Sequence, residues 1–153
     1  MTQKAFEIIK KLQGKSLVTA ESLTGGMIGS VLTSVPGASK VFKGGVISYM
    51  DAVKREVLGV PEEILENYGA VSAWTAGYMA SGARELLKAD YAVAVTGLAG
   101  PDGDEFGHEV GTVFIGFESQ SKAITKKFRF EGDREAVRRQ TVDAALQIIL
   151  ENV

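Results

Sequence analysis

The sequence contains no cysteine and only one histidine, His108, among its 153 residues. The absence of cysteine excludes disulfide bonds, thiolate nucleophiles and cysteine-ligated zinc or iron–sulfur centres. His108 is therefore the only histidine available as a catalytic base, and it lies in a glycine-rich, acidic loop over residues 97–109. A serine therefore remains available as the nucleophile, and a lysine could replace the histidine as its base.

The chain also lacks an excess of positive charge and long apolar runs. It carries 17 lysine and arginine residues against 19 aspartate and glutamate residues, which gives a net charge of -2. Nucleic-acid binders usually show a basic excess, and a membrane-spanning helix needs about 20 apolar residues. Residues 2–13 have the pattern of an amphipathic helix and not that of a signal peptide. We therefore expect a cytoplasmic protein without nucleic-acid or membrane partners.

Hydrophobic residues make up 45% of the sequence, enough for one globular domain over residues 1–153. Helical periodicity alternates with short apolar runs, and the last two runs are separated by a polar turn typical of a hairpin. The order predicts a single three-layer α/β/α domain, with a mixed, mostly parallel sheet of about five strands and a C-terminal antiparallel hairpin. The predicted strands are residues 16–20, 44–49, 91–96, 110–117 and 123–130.

The densest polar segment, Glu21-Ser22-Leu23-Thr24-Gly25-Gly26, falls between the first strand and the second helix. Ligands bind at such turns in open α/β sheets, and free N–H groups at a helix start favour a phosphate or an oxyanion. Ser22 could serve as a nucleophile or as a hydrogen-bond donor to a bound phosphate. The structural alternative is that Ser22 or Thr24 only caps the helix.

A serine nucleophile needs a base. His108 is one candidate, and Lys54 is another, with Tyr49 close to it in sequence at the end of a strand. The alternative interpretation is an aromatic residue at a sheet edge and a solvated lysine.

Two further charged segments admit both a functional and a structural interpretation. Residues 132–140 place Arg134 and Arg138 near a helix start, where they could hold an anion or form a salt-bridged surface. Asp102, Asp104 and Glu105 could bind a metal, although their spacing matches no calcium loop and favours a solvated acidic loop.

Six motifs together resemble the CinA C-terminal family, the bacterial nicotinamide-nucleotide amidases. The resemblance runs in order over nearly the whole chain. Two positions depart from the usual pattern: Leu23 stands where cysteine is common, and His108-Glu109 where Lys-Pro is common. The motifs are Thr19-Ala20-Glu21-Ser22-Leu23-Thr24-Gly25-Gly26, Gly45-Val46-Ile47-Ser48-Tyr49, Gly69-Ala70-Val71-Ser72, Thr96-Gly97-Leu98-Ala99-Gly100-Pro101-Asp102-Gly103, Val110-Gly111-Thr112-Val113, and Gly132-Asp133-Arg134 with Arg138-Arg139-Gln140.

The resemblance implies an amidohydrolase that converts nicotinamide mononucleotide to nicotinate mononucleotide and ammonia, without a metal or cofactor. It implies Ser22 as nucleophile, with Lys54 and Tyr49 activating it or relaying its proton. The expected partner is the small nucleotide substrate. The sequence does not give the oligomeric state, and a homodimer and a higher homo-oligomer are among the options. The implied substrate-binding residues are Glu21, Thr24, Gly25, Gly26, Thr96, Gly97, Gly100, Arg134 and Arg138.

Two alternatives remain. A non-catalytic nucleotide-binding or regulatory module would use the same glycine turn and arginines only to hold a phosphate. A metal-dependent phosphohydrolase would use Asp102, Asp104 and Glu105. Larger family members carry an additional N-terminal domain, so we expect this chain to be a stand-alone form of the amidase domain.

Overall fold

The computed structural model describes residues 1–153, which form six α-helices and five strands. A short 3-10 turn over Ala38–Lys40 precedes the second strand. In chain order the elements are α1 (Thr2–Lys11), β1 (Leu17–Glu21), α2 (Met27–Thr33), β2 (Phe42–Ile47), α3 (Asp51–Glu56), α4 (Glu62–Tyr68), α5 (Ala73–Leu87), β3 (Tyr91–Gly97), β4 (Thr112–Glu118), β5 (Ala123–Arg129) and α6 (Arg134–Asn152).

The five strands form one mixed sheet in the order β2-β1-β3-β4-β5. The pairs β1–β2 and β1–β3 are parallel, whereas β3–β4 and β4–β5 are antiparallel. Four strands thus run in one direction and β4 alone runs in the other. The predicted α/β class, the strand number and the C-terminal hairpin are confirmed.

Helices cover both faces of the sheet, because side chains alternate between the faces along each strand. Leu17, Val93 and Val95 pack with α1, α2 and α6 in the larger core. Val18 and Ala94 point to the opposite face, in the core that includes residues of α4 and α5. The prediction of three layers is therefore confirmed. None of the helices combines the length and apolarity needed to cross a lipid bilayer.

The helix starts follow the sequence pattern at some positions and depart from it at others. Asp133 and Ser72 cap α6 and α5, each accepting a hydrogen bond from a backbone N–H. At α3 the cap residue is Met50, and Asp51 is already in the first helical turn. Neither Ser22 nor Thr24 caps α2, whose cap residue is Gly26 at a φ of 103°.

The α2 cap comes instead from Glu21, at the end of β1. Its two carboxylate oxygens accept hydrogen bonds from the N–H groups of Ile28 at 2.9 Å and Gly29 at 3.0 Å. The hydroxyls of Thr24 and Thr19 donate to the same carboxylate at 2.7 and 3.2 Å. A carboxylate at a helix N-terminus is also stabilised by the helix dipole. Glu21 therefore fixes the path of the chain through residues 22–26.

We predict that Glu21→Gln lowers the free energy of unfolding by about 2 kcal/mol. Glu21 is only 2% exposed. The amide of glutamine keeps one acceptor oxygen but turns a second donor toward a backbone N–H, which leaves that N–H unsatisfied. Urea denaturation measures the loss. Glu66→Gln is the matched control, because Glu66 is an exposed residue of a helix surface. Equal stability of the two variants would contradict the role of Glu21.

Candidate active site

Strand pairing places Ser22 beside the residues that follow β2. Glu21 lies opposite Ile47 in the parallel register, and the Ser48 N–H donates to the Glu21 carbonyl at 2.8 Å. The Ser22 N–H in turn donates to the Val95 carbonyl of β3 at 3.1 Å. Ser22 is thus anchored at the carboxyl ends of three neighbouring parallel strands, which is where ligands bind in open α/β sheets.

Lys54 enters this position from α3. Its Nζ lies 3.1 Å from Ser22 Oγ, 2.7 Å from the Ser48 carbonyl and 3.3 Å from the Tyr49 carbonyl. Lys54 is only 1% exposed and Ser22 only 7%. The prediction that these two residues lie together therefore agrees with the geometry, while the interpretation of Lys54 as a solvated lysine is wrong.

The environment of Lys54 changes its acidity. Burial lowers the pKa of Lys54 to about 8, and the nearby Asp51 carboxylate acts in the opposite direction by favouring the ammonium form. Near neutral pH a lysine with this pKa is in the neutral form far more often than an ordinary lysine. Lys54 can therefore act as a base near neutral pH.

A cleft of about 640 Å³ opens above this pair. It lies between the Ser22 turn, the start of α3, the segment before α5, and the loop between β3 and β4. Seven of the residues predicted for the site line it: Ser22, Tyr49, Lys54, Thr96, Gly97, Gly100 and Arg134.

Arg134 crosses one side of the cleft from the first turn of α6. Its guanidinium donates to the Gly100 carbonyl at 2.7 Å and to the Tyr49 hydroxyl at 2.9 Å. Every other arginine of the chain pairs with a carboxylate, whereas Arg134 has none. The structure thus presents an arginine without a counter-ion to the cleft.

The contacts of Tyr49 differ from the role expected for it. Its hydroxyl contacts Arg134, not Ser22, and its backbone carbonyl is what reaches Lys54. The tyrosine ring remains 59% exposed. In this structure Tyr49 therefore orients Arg134 and Lys54 and makes no hydrogen bond to Ser22.

Five predicted binding residues do not line the cleft and instead build the turn beneath it. Thr24 is bonded to the Glu21 carboxylate, and Arg138 donates to the Leu23 carbonyl at 2.9 Å and to Glu135 at 2.8 Å. Positive φ angles at two glycines close the turn, a conformation that favours glycine. The five residues are Glu21, Thr24, Gly25, Gly26 and Arg138.

The cleft wall formed by the end of β3 and the segment before α5 is held by buried hydroxyl groups. Thr96 donates to the Ala70 carbonyl at 2.7 Å, and Thr75 donates to the Gly69 carbonyl at 2.8 Å. The Thr96 side chain therefore fixes the segment before α5 against the end of β3. Sequence reasoning named Thr96 but missed its bond to Ala70, and it missed Ser48, whose contribution is a backbone carbonyl that no side-chain motif reveals.

His108 does not line the cleft and does not contact Ser22. Its Nδ1 lies 2.7 Å from Asp104 Oδ2, and the N–H groups of His108 and Phe106 bond to Asp104 Oδ1. Burial raises the pKa of the Asp104 carboxyl, but these hydrogen bonds outweigh it and hold the pKa below its usual value. His108 thus orders the loop in this structure. No three histidine, aspartate or glutamate residues cluster in an arrangement that could hold a metal ion.

Comparison with known proteins agrees with this architecture. A CinA-like protein of Thermotoga neapolitana is 42% identical over 148 residues, which are 95% of this chain and 36% of that protein. The chain spans about a third of the length of the curated relatives it matches.

Solved structures are similar over nearly the entire chain. A competence-damaged protein (CinA) superfamily protein from Escherichia coli superposes with a TM-score of 0.97 at 34% identity, covering 99% of this chain and 90% of that one. The competence damage-inducible protein A from Klebsiella pneumoniae gives a TM-score of 0.96 at 36% identity, covering 99% and 95%. The family model of the CinA C-terminal domain matches residues 1–153. The predicted resemblance is confirmed, and the chain belongs to the CinA C-terminal domain family.

Proposed function

We propose that the chain is a serine amidohydrolase that converts nicotinamide mononucleotide to nicotinate mononucleotide and ammonia. The observation that carries this proposal is the 3.1 Å contact between Ser22 Oγ and the buried Nζ of Lys54 at the base of the cleft. The choice of this nucleotide among amides rests on the family resemblance, and the cleft is compatible with it.

The hydrogen bonds around Lys54 favour its use as a base. A neutral amine has two N–H donors and one lone pair. The carbonyls of Ser48 and Tyr49 accept from the two donors, at 2.7 and 3.3 Å. The lone pair is then left to face Ser22 Oγ and accept its proton. This is the arrangement that a serine–lysine pair requires.

The reaction follows from this arrangement. Ser22 Oγ attacks the carboxamide carbon and its proton passes to Lys54. The resulting ammonium returns that proton to the amide nitrogen as the C–N bond breaks, and ammonia leaves. Water, deprotonated by Lys54, then attacks the Ser22 ester and releases nicotinate mononucleotide, and the proton returns to Ser22 Oγ.

Backbone N–H groups are available for the oxyanion that forms in both steps. Leu23, Ala99 and Gly100 line the cleft, and their N–H groups donate to no acceptor in the protein. Donors already oriented toward a developing charge stabilise the transition state more than the ground state.

Arg134 is the group we assign to the phosphate. It is always charged, it lines the cleft, and it has no carboxylate partner to displace. A guanidinium can bind a phosphate with two parallel hydrogen bonds. The nucleotide would thus be anchored at Arg134 with its carboxamide at Ser22.

We predict that Ser22→Ala releases ammonia from nicotinamide mononucleotide at least about 1,000-fold more slowly than the wild type, because no hydroxyl remains to form the ester. An ammonia assay gives the rate, and thermal unfolding checks that the fold persists. Ser121→Ala, at an exposed position, is the control that keeps full activity. Wild-type turnover in Ser22→Ala would contradict the nucleophile. Binding of the nucleotide by the wild type without ammonia release would favour a binding module.

We predict that kcat/KM rises with pH and levels off above about 8, because the free base is the active form of Lys54 and burial lowers its pKa to about 8. Asp51→Asn moves the midpoint to lower pH, since it removes the carboxylate that favours the ammonium. Lys54→Met abolishes the reaction, whereas Lys40→Met, at an exposed position, leaves the profile unchanged. A rate independent of pH between 6 and 9, tested at saturating and at low substrate, would contradict a lysine base.

We predict that Arg134→Gln raises KM for nicotinamide mononucleotide at least about tenfold, because the phosphate loses its charged partner. The same variant leaves the constants for the nucleoside without the phosphate unchanged within about twofold. Arg139→Gln is the matched control, since Arg139 is exposed on the same helix and pairs with Glu135. An equal rise in KM for the mononucleotide and for the nucleoside would indicate that Arg134 only supports the fold.

A further inference from the structure

One exposed aromatic side chain in the cleft has no part in the chemistry described above. Phe106 lies in the loop between β3 and β4 and lines the cleft. It remains 38% exposed although it is wholly apolar. Exposed apolar surface inside a concave site is typical of ligand contact.

The ring is nevertheless held in place on one side. A Cβ added to Gly69 would lie 2.6 Å from Phe106 Cδ2 and Cε2, so the ring packs directly on the backbone of the wall before α5. Gly69 also has a φ of 80°, a conformation that favours glycine. The wall is itself fixed, because its Gly69 carbonyl accepts the Thr75 hydroxyl.

The loop that carries Phe106 is fixed as well. The Asp104 carboxylate accepts from the Phe106 N–H at 3.2 Å and the His108 N–H at 3.0 Å, and it contacts His108 Nδ1 at 2.7 Å. The His108 ring packs edge-on against Phe114, with 6.1 Å between ring centroids. The Gly69 backbone on one side and the Asp104 carboxylate on the other thus orient Phe106 before any ligand binds, which lowers the entropic cost of using it.

Other apolar side chains line the cleft together with Phe106. Leu65, Val71 and Leu98 line the same space, whereas the charged Arg134 stands on the side of Gly100 and Tyr49. A ligand that fits both regions has a planar ring that can stack on Phe106 and an anionic group that can bind Arg134. Aromatic rings bind such surfaces by offset or edge-to-face stacking.

We propose that Phe106 is a specificity-determining residue that packs against the planar ring of the substrate, while Arg134 binds its phosphate. This inference rests on the proposed function, since it assigns the ring to the carboxamide-bearing part of the nucleotide. Phe106 selects substrates with a flat ring and makes no contact with the reacting bond.

The test separates the ring from the phosphate and does not depend on turnover. Calorimetry measures the binding of two ligands, nicotinate mononucleotide and ribose 5-phosphate, which lacks the ring. Phe106→Ala weakens binding of the mononucleotide about tenfold and leaves binding of ribose 5-phosphate unchanged, because only the ring contact is lost. In turnover, KM rises by a similar factor and kcat stays within about twofold.

Two further variants distinguish ring contact from loop support. Phe106→Leu retains apolar packing on Gly69 without a ring and follows the alanine variant, whereas Phe106→Tyr retains wild-type binding. Tyr78→Ala is the matched control, because Tyr78 is 39% exposed on α5 and does not line the cleft.

The inference is overturned if Phe106→Ala and Phe106→Leu bind nicotinate mononucleotide as tightly as the wild type, or if both ligands weaken equally. Its failure is distinguishable from failure of the proposed function. Absence of ammonia release by the wild type rejects the amidase, whereas the two binding constants test the ring contact independently. If the Phe106→Ala variant does not fold, the Phe106→Leu variant replaces it in the binding test.

Discussion

The burial of one lysine is the constraint on which the site depends. A charged ammonium is costly to remove from water, so a lysine that is 1% exposed must satisfy its donors or lose its proton. Lys54 does both in part: two carbonyls and one hydroxyl surround its Nζ, and its pKa falls to about 8. The same burial that lowers the stability of the ammonium thus favours the neutral amine, the form in which we propose that Lys54 acts as a base.

The fold provides this environment through a second buried charge. Glu21 ends β1, caps α2 and accepts the hydroxyls of the turn, so Ser22 leaves the strand in a fixed direction. Parallel pairing of β1 with β2 then places Ser48 beside Glu21, and the Ser48 carbonyl accepts from the same Lys54 Nζ that contacts Ser22 Oγ. Ser22 and Lys54 meet because β1 and β2 end at the same edge of the sheet. The two charged residues nearby have different roles: Glu21 holds the turn, whereas Arg134 faces the cleft.

Much of the fold could be predicted from the sequence, since apolar periodicity and turn residues are local signals. The pairing of Ser22 with Lys54 was also within reach, because both follow predicted strands. The capping role of Glu21 could not be predicted. Capping rules relate neighbouring residues, whereas Glu21 accepts from the N–H of Ile28, seven residues later in the chain. The burial of Lys54 was hidden for a similar reason: Ser22, which Lys54 contacts at the base of the cleft, is 32 residues away in the sequence, and charged residues are rarely buried. No sequence pattern indicated a role for Phe106, because its position in the cleft depends on how the loop between β3 and β4 folds.

The central claim, that Ser22 forms an ester while Lys54 holds its proton, is tested most directly by quenching the enzyme during turnover of nicotinamide mononucleotide. Peptide mass spectrometry then locates any covalent adduct. The account predicts an adduct on the peptide containing Ser22, with the mass of the substrate less ammonia. Ammonia release accompanied by an adduct on another side chain, or by none on Ser22 at any quench time, would contradict it.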